Sequence, residues 1–154
     1  MVDRKTMLSQ YVDNHKQKIE LEKKEANLLP TQLNDLECIP MLFEYFCRLK
    51  SFDKERSKTL DSDLRKEFIF IILYLYCPKV IVDDKRKMIK GLRKAITQLL
   101  GLDAPTGISN IVSGIYVWFT TYKVNQYTTN SSYENIANYL VEKGILKEYL
   151  PLCL

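Results

Sequence analysis

Apolar residues return every three or four positions along most of this 154-residue chain, which is the spacing of helices that each bury one side. Leu8, Tyr11, Val12, His15 and Ile19 mark the first such helix, an N-terminal charged helix over residues 1–29 that runs into the charged stretch 16–25 and stops before Pro30. Its apolar stripe is narrow. It packs on the body of the protein or zips against a second copy as a homodimer, and a length under three heptads favours the body. Met41, Leu42, Tyr45, Phe46 and Leu49 predict a second buried face, with Pro40 near the first turn. Residues 48–58 mix both signs of charge and read as a solvated connection.

The most apolar run is Phe68 to Cys77, ten residues that read FIFIILYLYC. Ten is about half of what a membrane-spanning helix requires, so the run belongs in a core and no membrane partner is expected. Its β-branched and aromatic content suits a buried strand as well. The lead-in from Ser62 to Glu67 and the stop at Pro78 favour one central helix, and a helix apolar on all sides needs neighbours on all sides.

Asp83 and Asp84 then offer carboxylate N-caps for an amphipathic helix whose apolar face is Met88, Ile89, Leu92, Ala95, Ile96, Leu99 and Leu100, closed by Gly101. Pro105 and Thr106 open the next helix, with Ile108, Ile111, Val112, Ile115, Trp118, Phe119 and Tyr122 on one stripe. Ser131 to Glu134 reads as a capping box ahead of Ile136, Ala137, Leu140 and Val141, with a stop at Gly144. The tail from Ile145 to Leu150 is expected to fold back on the core. Five glycines and five prolines leave few turns for an all-β fold. The expectation is therefore all-α: one domain over residues 1–154, a bundle of about six helices.

Charge is unevenly placed along this pattern. Residues 1–77 carry 13 basic and 13 acidic side chains, residues 78–102 carry 7 and 2, and residues 103–154 carry 3 and 4, so the net +4 resides in one short stretch. Six of its cations, Lys85, Arg86, Lys87, Lys90, Arg93 and Lys94, fall within ten residues. Such a concentration points to phosphate, hence nucleic acid, although a solvated, solubilising helix face explains it as well. The four cysteines form no C-x-x-C pair and the single His15 stands alone, so neither a metal nor a redox centre is expected. With no Gly-rich phosphate loop, activated nucleophile or carboxylate pair at metal spacing, no catalytic residue, enzyme activity or cofactor is expected. The charged N-terminus lacks the apolar core of a signal peptide, and a cytoplasmic setting is the plain expectation.

Two amphipathic helices joined by a glycine turn form a helix-turn-helix candidate. The segment LRKAITQLLGLDAPTGISNIVSGIYVWF resembles the helix-turn-helix unit of small DNA-binding proteins, through Ala95, Gly101 and Ile108 and the polar set Thr106, Ser109, Asn110 and Ser113. The resemblance covers residues 84–126, with the glycine set later after the alanine than is usual, and the wider chain looks like small helical proteins of bacterial phages or mobile elements. It implies DNA as partner, with Arg86, Lys87, Lys90, Arg93 and Lys94 on backbone phosphates and Asn110 and Ser109 near base edges. Residues 103–122 contain no Lys or Arg, so general phosphate binding is favoured over base readout. The competing expectation is a protein-interaction or structural adaptor that uses the N-terminal helix or Trp118 and Tyr122 as contacts. Tyr116, Tyr122, Tyr127, Tyr133 and Tyr139 read as core or interface residues before they read as stacking platforms for single strands.

Overall fold

The computed structural model describes residues 4–51 and 60–152, and all regular structure among them is helical. Residues 52–59, which hold most of the expected charged connection, lie outside the described residues. Contacts divide the chain into two units, Met1–Pro30 and Thr31–Leu154.

The first unit is a single helix, α1 (Arg4–Leu28), which ends ahead of Pro30 as its periodicity predicts. Leu8, Tyr11, Val12 and Ile19 are exposed along it. The His15 ring lies parallel to that of Tyr11 one turn earlier, at 6.5 Å between centroids, an ordinary helix-surface pairing.

The second unit is built around the apolar run, which is a helix. Asp61 supplies the N-cap of α3 (Ser62–Tyr76), accepting the Leu64 N–H at 2.8 Å. The helix stops where Pro78 forbids continuation, and Cys77 leaves helical geometry with ψ at 70°. From Glu67 to Tyr76 every residue is buried. Three long neighbours, α2 (Ile39–Leu49), α6 (Thr106–Thr121) and α7 (Lys123–Glu142), and the short α4 (Lys79–Val82) pack on it. A nine-residue helix, α5 (Leu92–Leu100), fills the space between α2 and α6. Aromatic pairs mark the joints: Phe43 and Phe46 meet Phe68, Phe70 stacks on Phe119 at 4.2 Å, and Tyr45 of α2 stacks on Tyr139 of α7 at 4.3 Å.

Two expected boundaries are corrected. The buried face of α2 is Ile39, Leu42, Phe43, Phe46 and Cys47, with Met41 and Tyr45 half-buried and Leu49 exposed, so the helix is rotated from the expected stripe. Both i, i+4 sets fit the sequence, and contact with Phe68 on α3 selects the one with Phe43 and Phe46 inside. The last helix does not start at Ser131 either. It starts at Lys123 and passes through the supposed capping box, because Ser132 is buried in mid-helix and donates its hydroxyl to Glu67 at 3.3 Å. Tertiary burial has overridden a local cap signal. Gly144 does close α7, and the tail folds back as expected.

Buried polar groups explain how that tail is held. The Gln32 side chain donates to the Tyr133 hydroxyl at 3.0 Å and accepts the Leu150 N–H at 2.8 Å, while Tyr133 donates to the Leu150 carbonyl. Tyr74 donates to the Pro151 carbonyl at 2.7 Å. The segment before α2 closes the other end: Gln32 and Leu33 N–H groups both reach the Leu75 carbonyl, at 3.0 and 2.9 Å, satisfying the C-terminus of α3. The one charge on the buried stretch, Glu67, pairs with Lys50 at 2.9 Å. Among the described residues no helix is long and apolar enough to cross a membrane.

Two stability measurements follow from these groups. Lys50→Met leaves Glu67 buried without its countercharge and is expected to cost about 3 kcal/mol in urea unfolding. Ser132→Ala removes a weaker bond to the same carboxylate and is expected to cost about 1 kcal/mol. Burial also raises four acids: the phenols of Tyr76 and Tyr133, the Cys38 thiol, which the carboxylates of Asp35 and Glu37 raise further, and the Cys77 thiol, which moves from 9.0 to about 11 against a smaller lowering by the Ile89 backbone N–H. Each is raised in the folded state, so the stability it contributes is intact below its unfolded pKa and drains as pH rises through the folded one. A Tm series is expected to be flat with respect to these groups up to pH 9.0 and to fall towards pH 11.

Candidate nucleic-acid interface

The basic cluster is not a helix face. A helix from residue 84 would set Arg86 above Lys90, Lys87 above Lys90, and Lys90 above Arg93 and Lys94, like charges at i+3 and i+4, with Gly91 in its interior. Residues 83–91 form a loop instead, and α5 begins only at Leu92. The expectation that Asp83 and Asp84 cap a long basic helix is therefore corrected. Asp83 organises a turn: its carboxylate accepts the Lys85 N–H at 3.2 Å and pairs with the Arg86 guanidinium at 3.5 Å, while its carbonyl accepts the Arg86 N–H at 3.1 Å.

Met88 and Ile89 are both half-buried, anchoring the loop on the bundle. Gly91 then turns the chain into α5 with φ at +89°, a conformation that disfavours a Cβ, and Leu36 Cδ1 lies 3.1 Å from where that Cβ would be. This geometry leaves Lys85, Arg86, Lys87, Lys90, Arg93 and Lys94 all exposed. Lys87, Lys90 and Lys94 have no acidic partner among the described residues. The first turn of α5 carries no acid and its N-cap glycine supplies no side-chain acceptor, so the positive end of the helix points into the same cationic segment.

The second helix of the expected unit, α6, opens at Thr106 behind Pro105 as predicted. Gly101 closes α5 with φ at +66°, and Leu102 N–H returns to the Thr97 carbonyl at 3.1 Å, a Schellman ending. Thr106, Asn110 and Ser113 are exposed, Ser109 is half-buried, and the Ser113 hydroxyl is turned back on the Asn110 carbonyl at 2.8 Å. Ile108, Val112, Ile115 and Phe119 are buried, whereas Tyr122 leaves the stripe because α6 ends at Thr121.

A cleft of about 330 Å³ that sequence reading missed opens between the ends of α2, α3, α6 and α7. Lys50, Asp61, Asp63, Glu67, Trp118 and Asn125 line it. Its charges have structural work: Asp61 caps α3, Asp63 accepts the Trp118 indole N–H at 3.2 Å, and Glu67 is paired with Lys50. No signal could have found it, since its residues lie on four elements spread over most of the chain. Among the described residues no group of three His, Cys, Asp or Glu side chains is placed to hold a metal. Comparison with known proteins adds no relative: no family model, curated protein or solved structure matches the chain.

The two glycines that shape this region differ in what surrounds them. Gly101 has nothing within 4 Å of its added Cβ, whereas Gly91 has Leu36. Gly91→Ala is expected to cost about 2 kcal/mol and Gly101→Ala about 1 kcal/mol, measured by urea unfolding. Equal costs would mean that Leu36 gives way freely.

Proposed function

We propose that the protein is a non-enzymatic nucleic-acid-binding protein that holds backbone phosphates with the basic loop and the first turn of α5. The observation that carries this reading is the exposure of six cations within ten residues, beside a helix N-terminus with no acid in its first turn. A loop suits this role as well as the helix face the sequence predicts, because it leaves all six cations exposed. In this reading α5 and α6 serve as a helix-turn-helix-like unit, with Thr106 and Asn110 exposed in the opening turns of α6 and Ser113 exposed at mid-helix. None of those three is cationic, so affinity comes from phosphates and base readout is secondary.

The test is a salt series of anisotropy binding to a labelled random duplex, comparing the wild type with Lys87→Glu, Lys90→Glu, Arg93→Glu and Lys94→Glu combined. Affinity is expected to fall with salt, and the slope of log K against log salt to shrink by about 3 in the variant. All four side chains are exposed, so the variant is expected to keep its helical circular dichroism. No binding by the wild type at about 50 mM salt would reject the reading and leave the adaptor expectation in its place.

A further inference from the structure

We infer that α1 is a self-association helix, which pairs antiparallel with α1 of a second copy of this chain; the inference stands apart from the phosphate-binding reading above. The helix has 25 residues and lies in a contact unit of its own. Along it Leu8, Tyr11, Val12 and Ile19 are 64%, 71%, 40% and 40% exposed, and His15 is exposed among them. Leu8, Val12, His15 and Ile19 follow one another at spacings of four, three and four, which is the seam of a heptad repeat. Val12 and Ile19 hold its a positions, and Leu8 and His15 hold its d positions.

Charge rules out one direction of pairing. In a parallel pair every seam residue meets its own copy. His15 would face the partner's His15, and Glu22, at the next d position, would face the partner's Glu22. On the flanks Lys18 at g would stand beside the partner's Lys23 at e, once on each side. Like charges thus oppose that arrangement on both flanks and at the end of the seam.

An antiparallel pair sets a positions against d positions, about a two-fold axis that passes between Asp13 and Asn14. Leu8 then meets the partner's Ile19, and Val12 meets the partner's His15. The two Glu22 residues move to opposite ends, about 26 Å apart at 1.5 Å per residue. Lys18 comes beside the partner's Tyr11, whose exposed ring accepts an ammonium on its face. A two-fold axis makes each of these contacts twice, so the helix complements itself, apolar on apolar and cation on ring, and needs no second sequence. The seam is short, which makes the pairing weak and dependent on concentration.

The experiment is sedimentation of the full chain, without nucleic acid, from about 1 μM to about 200 μM. The wild type is expected to pass from one copy to two across that range. Leu8→Lys with Ile19→Lys sets lysine against lysine on the seam and is expected to stay single throughout. Met7→Lys with Leu21→Lys changes two exposed apolar residues of α1 that lie off the seam, and this variant is expected to pair as the wild type does. Lys18→Glu takes the ammonium from the Tyr11 ring in an antiparallel pair and is expected to weaken pairing several-fold, whereas in a parallel pair it would meet Lys23 and tighten it. A wild type that stays single at about 200 μM overturns the inference and leaves the stripe to the body of the protein or to another protein. Pairing that survives in the Leu8, Ile19 variant, or that is lost in the Met7, Leu21 variant, overturns the seam. Tighter pairing of Lys18→Glu overturns the antiparallel direction.

Discussion

Ten consecutive residues of α3, from Glu67 to Tyr76, are shut away from water, and this wrapping constrains everything else in the bundle. A helix with one apolar face asks for one partner, but a helix apolar all round asks for several, placed around its axis. Four helices of a short chain therefore converge on α3. The same demand governs the segments that are not helices. Residues 31–33 lie across the C-terminal end of α3, and the tail from Leu150 is drawn in beside it by Gln32, Tyr74 and Tyr133. A surround of helices leaves gaps at its ends, and these extended pieces close them with side chains that satisfy backbone polar groups the helices cannot reach.

A wrapped helix also decides where charge is tolerated. Glu67 sits at the first buried position of α3, its sixth residue, where Lys50 at the end of α2 and the Ser132 hydroxyl still reach it. Two turns further on no lysine is at hand to offset its desolvation, and the chain carries no charged residue there. The remaining cations have no place in the interior. Six of the 23 fall between Lys85 and Lys94, on the exposed connection between α4 and α5 and the first turn of α5.

Elements with long, consistent periodicity were legible in the sequence: α1, α3 and α6 lie where spacing, caps and prolines put them. Where reading failed, two local signals competed and a tertiary contact chose. Either of two stripes suits α2, and Phe68 takes Phe43 and Phe46. Ser131 to Glu134 spells a cap, but Ser132 is needed inside by Glu67. At residues 83–91 the apolar positions Met88 and Ile89 continue a helical period, yet they are half-buried from a loop, because like charges at adjacent turns and a left-handed Gly91 make the helix the costlier option. The cleft beside Trp118 was invisible for another reason: no stretch of sequence contains it.

The difference between a basic helix and a basic loop changes what the segment is able to recognise. On a helix, cations at i, i+3 and i+4 form a stripe of fixed pitch that lies along one groove wall or one backbone. On a loop anchored at Asp83, at the half-buried Met88 and Ile89, and at Gly91, the lysines between anchors are long, exposed and mutually repelling, so they spread. In the proposed role, such a segment adapts to the phosphates it meets rather than imposing a pitch on them.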